Sequence, residues 1–425
     1  MTLAIEGGQP VRRQPFPGCN TIGAEERRAV LEVLESGVLS QFVGAWGPDF
    51  FGGPRVQALE AEWARYFGSR HAVSMNSATS CLYAAVGAAG VGPGDEVIVS
   101  PYTMSASAAA AIVYGGIPVF ADIDQDTFCL DPQSVAALIT DRTRAVIGVD
   151  LFGHPAPWAE LRAVVEGRDI VLIEDAAQAP GAMADGRLAG TLGDIGIFSL
   201  NYHKTIHSGE GGVAVTNDAA LAERLQLIRN HGEAVVEARG TENIVNLVGF
   251  NYRMTEIEAA IALEQLHKLE SLVVPRVAAA DFLTGRLAGL PGITPPVVRP
   301  GVRHGYYVYA FKYEEGAAGV DRDWVAAALS AEGIPVRTGY VEPLYRQPMY
   351  QRGIALGRHG YPFAGSDGSI RRYPDGICPV TERMHERELL YLSFLHAGLT
   401  QSDLDDVATA FEKVLTPIGA CELGR

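Results

Sequence analysis

IVLIEDAAQAPGA, residues 170–182, and IFSLNYHKTIHSGEGGVAV, residues 197–215, decide the fold of this 425-residue chain. Each begins with a short run of large apolar residues, as a strand buried on both faces does. Each then breaks into small and polar residues. Working outward, similar runs occur at Ala72–Met75, Glu96–Val99, Val119–Ala121 and Ala145–Val149, and again at Ile170–Ile173, Ile195–Phe198 and Gly212–Val215. Helical segments fall between several of them, such as Cys81–Ala89, Ser134–Leu138 and Trp158–Val165. This alternation predicts an α/β fold with a mostly parallel sheet covered by helices on both faces. Ligands in such sheets sit at the carboxyl ends of the strands. The polar residues that follow the runs are therefore the candidate site.

The flanks divide the chain. Residues 1–20 read as an extended arm, 21–290 as a large α/β domain and 291–425 as a small α+β domain. A first helix is predicted over Ala24–Ser36 and a long one from Glu256 to about Leu287, broken at Pro275. After Pro295 come a strand at Tyr306–Tyr313 and helices at Arg322–Glu332 and Gln401–Leu415. The Gly/Pro-rich stretch 41–54 holds Trp46 and three phenylalanines and reads as an ordered loop; 351–377 is a second long Gly/Pro/Arg-rich stretch.

The net charge is −16 with no basic run, which argues against nucleic acid and anionic membrane surfaces as partners. Five scattered cysteines without a CxxC pair fit a reducing cytoplasm better than a disulfide framework or a zinc site. The N-terminus lacks an apolar core of signal-peptide length, and the alanine-rich stretch near Ser105–Val113 is too short to span a bilayer.

Four clusters carry candidate chemistry. Asn76-Ser77-Ala78-Thr79-Ser80 lies at a strand-to-helix turn, where free N–H groups make either an anion site or an ordinary capped helix start. Asp175 and Gln178 follow a buried strand. A carboxylate there either caps a helix or faces a pyridine nitrogen and keeps the ring protonated as an electron sink. Lys204 follows a strand, has Ser199 five residues before it and GEGG at 209–212 after it. A lysine near a phosphate and a cationic ring serves as nucleophile and base. Gly249–Met254 opens the long helix and reads locally as a turn. Rival motifs fail. There is no GxxxxGK[ST], no GxSxG, and no GxGxxG after a strand. Lys204 stands between His203 and His207, where it opposes a metal.

In order and spacing, the clusters together resemble the sugar aminotransferases of the DegT/DnrJ/EryC1/StrS family. These belong to fold-type I of the pyridoxal 5'-phosphate (PLP) enzymes, the aspartate aminotransferase superfamily. The resemblance runs from GGQPVR at 7–12 to DLDDVATAFEKVL at 403–415. Between them lie NSATS, VSPYTM, GGIPVFADID, IEDAAQAPGA, FSLNYHK, GEGG, GFNYRMTEIEAAIALEQL and VRTGYVEPLY.

It implies PLP held by Lys204 as a Schiff base, with Lys204 also shuttling the proton. Asp175 is implied at the pyridine nitrogen and Gln178 at the ring hydroxyl oxygen. Ser77, Ala78, Thr79 and Ser199 are implied around the phosphate. Asn251 is implied to reach the phosphate of a neighbouring subunit in a homodimer with shared sites. Where the family stacks an aromatic ring on the cofactor this chain has Met104, with Tyr102 two residues earlier. The implied reaction aminates a keto-sugar, nucleotide-linked, from glutamate or glutamine. A keto-cyclitol of aminoglycoside pathways is the alternative substrate, and a PLP-binding regulator without turnover the alternative class. No metal is expected.

Overall fold

The computed structural model describes residues 2–364 and 370–422. Its largest sheet is built from β1 (His71–Met75), β2 (Glu96–Val99), β3 (Ile117–Phe120), β4 (Thr143–Val149) and β5 (Val171–Asp175). A short hairpin of β6 (Met183–Ala184) and β7 (Arg187–Leu188) intervenes before β8 (Ile195–Ser199) and β9 (Gly212–Thr216) complete the sheet. The seven strands run in the order β1-β9-β8-β5-β4-β2-β3. Neighbours from β8 to β3 are parallel, while β9 is antiparallel to both β8 and β1. Thus β1 and the parallel strands point one way, and β9 alone reverses. Each strand of this sheet read from the sequence lies on an observed one, with ends displaced by at most two residues.

The reversal of β9 positions the site. Its first residue, Gly212, pairs with Met75 at the end of β1 and with Ser199 at the end of β8. The segment after β1, the end of β8 and the turn into β9 therefore meet at one edge of the sheet. Gly212 is required there: a Cβ would lie 2.5 Å from Ala78 N and from Ser77 C.

The helix Ala24–Ser36 has the extent read from the sequence. The long helix Glu256–Leu287 passes through Pro275 without ending, which corrects the expected break. Proline withdraws the N–H that Ser271 C=O would accept, but Ser271 and Pro275 both face solvent, where water takes its place. The helix begins with a capping box between Thr255 and Glu258.

Beyond this helix, Ile293–Thr294, Tyr309–Tyr313, Leu389–Leu392 and Arg337–Thr338 form a four-stranded antiparallel sheet. Helices Arg322–Ala331 and Gln401–Glu422 accompany it, the latter longer than read. The strand expected from Tyr306 begins only at Tyr309. Tyr306 is left-handed, at φ 47°, and Gly305 and Val308 donate their N–H groups to Gly153 and Phe152 of the large-sheet layer instead. This detour carries Tyr307 toward the edge where β5 and β8 end.

The N-terminal arm lies along the small sheet. Ala4 and Val11 N–H donate to the Glu332 carboxylate at 2.8 and 3.0 Å, and Leu3, Val11 and Phe16 join the cluster around Phe311 and Phe411. The aromatic loop at 41–54 is ordered because Asn230 Nδ2 donates to both Val43 O and Phe50 O, and Phe50 is fully buried. Part of the 351–377 stretch, residues 365–369, lies outside the described residues. In the rest, Phe363 and Tyr373 pack with Tyr350 and Phe120 against the large sheet, and Gln351 Nε2 ties Tyr345 O to Tyr373 O. Among the described residues no helix is long and apolar enough to cross a membrane.

Candidate active site

A cavity of about 230 Å³ opens at the carboxyl ends of the parallel strands. Ser77, Ala78, Thr79, Met104, Asp175, Gln178, Ser199 and Lys204 all line it. Eight of the nine residues singled out from the sequence are therefore brought together. Asn251 is the exception: it is exposed and its side chain accepts from Arg253 Nε at 2.8 Å. Only its backbone approaches, through Asn76 Nδ2 at 3.5 Å.

Lysine is scarce here, and the four lysines differ in circumstance. Lys268 is paired with Glu26, Lys312 with Asp126 and Lys413 with Glu332. Lys204 alone has no ion pair among the described residues. Its amine stands over the Tyr307 ring, 4.8 Å from the centroid. Removal from water lowers its pKa to about 8, while the Asp175 charge works the other way. At pH 7 the lysine is thus still mostly charged, but about a tenth is the free amine, the form that attacks carbonyls, far more than an ordinary lysine supplies.

Asp175 ends β5 and is buried. Its Oδ1 accepts from Ala177 N at 3.2 Å and its Oδ2 from Ser107 Oγ at 3.0 Å. Burial raises its pKa, opposed by the Ala177 N–H, Lys204 and Ser107. A carboxylate so held is stabilised further by a cationic nitrogen placed before it.

Gln178 is oriented unambiguously. Phe152 N–H donates to its Oε1 at 2.8 Å, so its amide nitrogen must be the end that meets Tyr340 Oη at 3.1 Å. With two N–H donors and one given to Tyr340, the amide keeps a donor for an oxygen in the cavity.

On the opposite wall begins the helix Ala78–Ala88. Ser77 is its N-cap and accepts from Ser80 N at 3.0 Å. The N–H groups of Ala78 and Thr79 belong to the unbonded first turn, and the helix dipole favours an anion before them. Gly212 keeps this turn clear of side chain from β9. Asn201 Oδ1, an acceptor also at the cavity, is buried and has no partner among the described residues. A donor set at one end and a buried carboxylate at the other suit a phosphorylated pyridine.

Met104 is 62% exposed and lines the cavity, whereas Tyr102 is fully buried, its hydroxyl accepting from Tyr340 N at 3.0 Å. Of the two, Met104 faces the ligand space. Three contributors went unread in the sequence: Ser107, Tyr307 and Tyr340. Ser107 is hidden in an alanine run, and Tyr307 in what reads as a strand. Tyr340 lies in the VRTGYVEPLY segment, with no local signal for its hydroxyl.

The profile of the DegT/DnrJ/EryC1/StrS aminotransferase family matches residues 20–365. The chain is 37% identical over 435 aligned residues to the L-glutamine:2-deoxy-scyllo-inosose aminotransferase of Streptoalloteichus tenebrarius, covering 97% of each protein. It is 35% identical to the GDP-perosamine synthase of Caulobacter vibrioides, over 93% of this chain and 96% of that one. The crystal structure of S. venezuelae DesV superposes with a TM-score of 0.77 at 33% identity, covering 92% of this chain and 94% of the other. The parallel sheet, the cavity at its carboxyl edge and these likenesses agree: the chain is a fold-type I aminotransferase and belongs to the DegT/DnrJ/EryC1/StrS family.

Proposed function

We propose that the cavity holds PLP and that the enzyme moves an amino group from glutamine or glutamate to a keto-sugar. The observation that carries this reading is Lys204: among the described residues the one lysine without an ion pair, its pKa lowered to about 8, beside a buried Asp175. When bound, PLP supplies the electron sink for the C–H bond broken in amino transfer.

The remaining roles belong to the chain. Lys204 would hold the cofactor at its carbonyl carbon, and its amine Nζ, once free, would be the group that takes up and returns a proton. Asp175 keeps the ring nitrogen protonated. Gln178 donates its remaining N–H to the ring hydroxyl oxygen. Ala78 and Thr79 N–H groups, with the Ser77 and Ser199 hydroxyls, take the phosphate. Met104 covers one ring face with a thioether.

The substrate reading is supported by the GDP-perosamine synthase relative, whose name describes an amino sugar on a nucleotide. A keto-cyclitol is the second reading, favoured by the 37% identity to a scyllo-inosose aminotransferase along 97% of both chains. The test is the half-reaction. Purified enzyme with PLP is mixed with glutamine or glutamate, and pyridoxamine phosphate is measured. A panel of nucleotide-linked keto-sugars and keto-cyclitols then reoxidises it. PLP uptake without conversion by either donor would contradict amino transfer and favour a regulator.

The assembly proposed is a homodimer with shared sites. Asn251 is exposed and off the cavity wall, and Ile244, Val245 and Val248 just before it are 57–64% exposed. An amide reaching a partner's phosphate and an apolar rim covered by that partner account for both. Subunit exchange between Lys204→Ala and Asn251→Asp proteins tests it. Shared sites restore activity to about one quarter of wild type for random pairing, because each mixed dimer has one unharmed site. No recovery after demonstrated exchange would refute sharing.

A further inference from the structure

The helix Ser105–Val113 has the sequence SASAAAAIV, in which every buried position but Ser107 is apolar, alanine or Ile112. Ser107 departs from this pattern. It is fully buried, and a hydroxyl at such a site costs stability unless it is bonded. Its Oγ donates to Asp175 Oδ2 at 3.0 Å, and its own N–H donates to Met104 O at 3.2 Å. One helical turn thus carries both Met104, at the cavity, and the donor that grips the carboxylate. Ala177 N–H holds the other oxygen. With one donor on each oxygen, the carboxylate plane cannot rotate freely.

We propose that Ser107 is a positioning residue: its hydroxyl fixes Asp175 and keeps it ionised for the ring nitrogen of the cofactor. This rests on the PLP reading above. A serine serving packing alone would be replaceable by alanine with a loss that does not depend on pH. A serine that stabilises the Asp175 anion has a different signature, because only the ionised carboxylate gains from the hydrogen bond. Burial already pushes the Asp175 pKa up, and the Ser107 donor is one of the groups opposing that push.

The other ionisable groups around Asp175 are Lys204, Cys81 and Tyr340, with His203 and Glu210 on the same cavity wall and common to every variant, and with Asp150 and Glu174 forming a buried pair at the ends of β4 and β5. The thiol and phenol are pushed up, away from neutral pH, and the Asp150 and Glu174 carboxylates are held by other donors, Ala156 N and Trp158 Nε1 on the first and the N–H groups of Gly190, Leu192 and Gly193 on the second. A difference between variants on the acid side therefore reports on Asp175.

The experiment measures PLP affinity of the cofactor-free protein from pH 5 to 9, by fluorescence or dialysis, for wild type, Ser107→Ala, Ser107→Cys and Ser107→Thr. Affinity needs the ionised carboxylate, so it falls as pH drops through the Asp175 pKa. Loss of a hydrogen bond to a charged acceptor moves that fall upward by roughly one pH unit in Ser107→Ala. Ser107→Cys, nearly isosteric with a weak S–H donor, should move it the same way, and Ser107→Thr should restore it. A uniform drop at every pH, or no change, in Ser107→Ala overturns the proposal. If Ser107→Ala does not fold, Ser107→Cys decides: an upward move supports the role, and an unmoved profile overturns it. Wild type that takes up no PLP at any pH sinks the cofactor reading itself, an outcome distinct from all of these.

Discussion

Replacing Lys204 by methionine should stabilise the cofactor-free protein at pH 7. Methionine matches the lysine stem in length and carries no charge to desolvate. The folded lysine has its pKa lowered from 10.5 to about 8, chiefly by burial. That difference, at about 1.4 kcal/mol per pH unit, is on the order of 3 kcal/mol. The sign follows from proton counts. Between pH 8 and 10.5 the unfolded chain binds a proton that the folded one has lost, so wild-type stability rises with pH across this window. Below pH 8 both states are charged and the folded state bears the full cost of the desolvated ammonium. Above 10.5 both are neutral and the cost is gone. Thermal midpoints of the two cofactor-free proteins, recorded from pH 6.5 to 10.5, give the assay. The variant should melt higher at pH 7, and the gap should close as pH passes through 8 toward 10.5. A variant that melts lower at pH 7, or a gap that ignores pH, would refute the claim that Lys204 is held in its site against solvation.

Other outcomes follow from the same geometry. Asp175→Asn should fold, since its carbonyl can still accept from Ala177 N–H and the Ser107 hydroxyl can rotate to meet the amide. It should weaken PLP binding by about 1.5–3 kcal/mol and slow the donor half-reaction by more than that; equal losses would mark Asp175 as a structural cap. Gly212→Ala should cut PLP affinity at least tenfold, because the new Cβ would sit 2.5 Å from Ala78 N in the helix turn proposed to take the phosphate. Titration with free PLP checks it, and unchanged affinity would place the phosphate elsewhere. Glu26, buried and bonded to Lys268 and Gln265, has its pKa lowered to about 2. Its stabilisation is present above pH 4.5 and is lost as pH falls toward 2, so Glu26→Gln should lower the unfolding free energy at pH 7, read from denaturant titration, by about 2–3 kcal/mol but make little difference near pH 2.

How much of this was legible in the sequence depends on the kind of signal. Buried strands announce themselves by runs of Val and Ile, and the residues after them fall at the sheet edge by topology. That is why Ser77, Ala78, Thr79, Asp175, Gln178, Ser199 and Lys204 could be gathered from one dimension. The reversal of β9 leaves no mark in GVAVT, since a buried strand reads alike in either direction. Pro275 misled because the breaker rule ignores which face the proline occupies. Ser107 and Tyr340 act through a hydroxyl aimed at a residue 68 or 162 positions away, a relation that no local pattern encodes. Tyr307 reaches the cavity through a left-handed turn at Tyr306 that its aromatic neighbours conceal.

The central claim, that Lys204 binds the cofactor, has a direct chemical test. The purified protein is incubated with PLP, reduced with borohydride, digested, and its lysine-containing peptides weighed. The chain has only four lysines, so the assignment is nearly exhaustive. The account predicts a phosphopyridoxyl mass on the peptide carrying Lys204, diminished when the amino donor, glutamine or glutamate, is added before reduction. The same mass on Lys268, Lys312 or Lys413 instead, or on none, would contradict it.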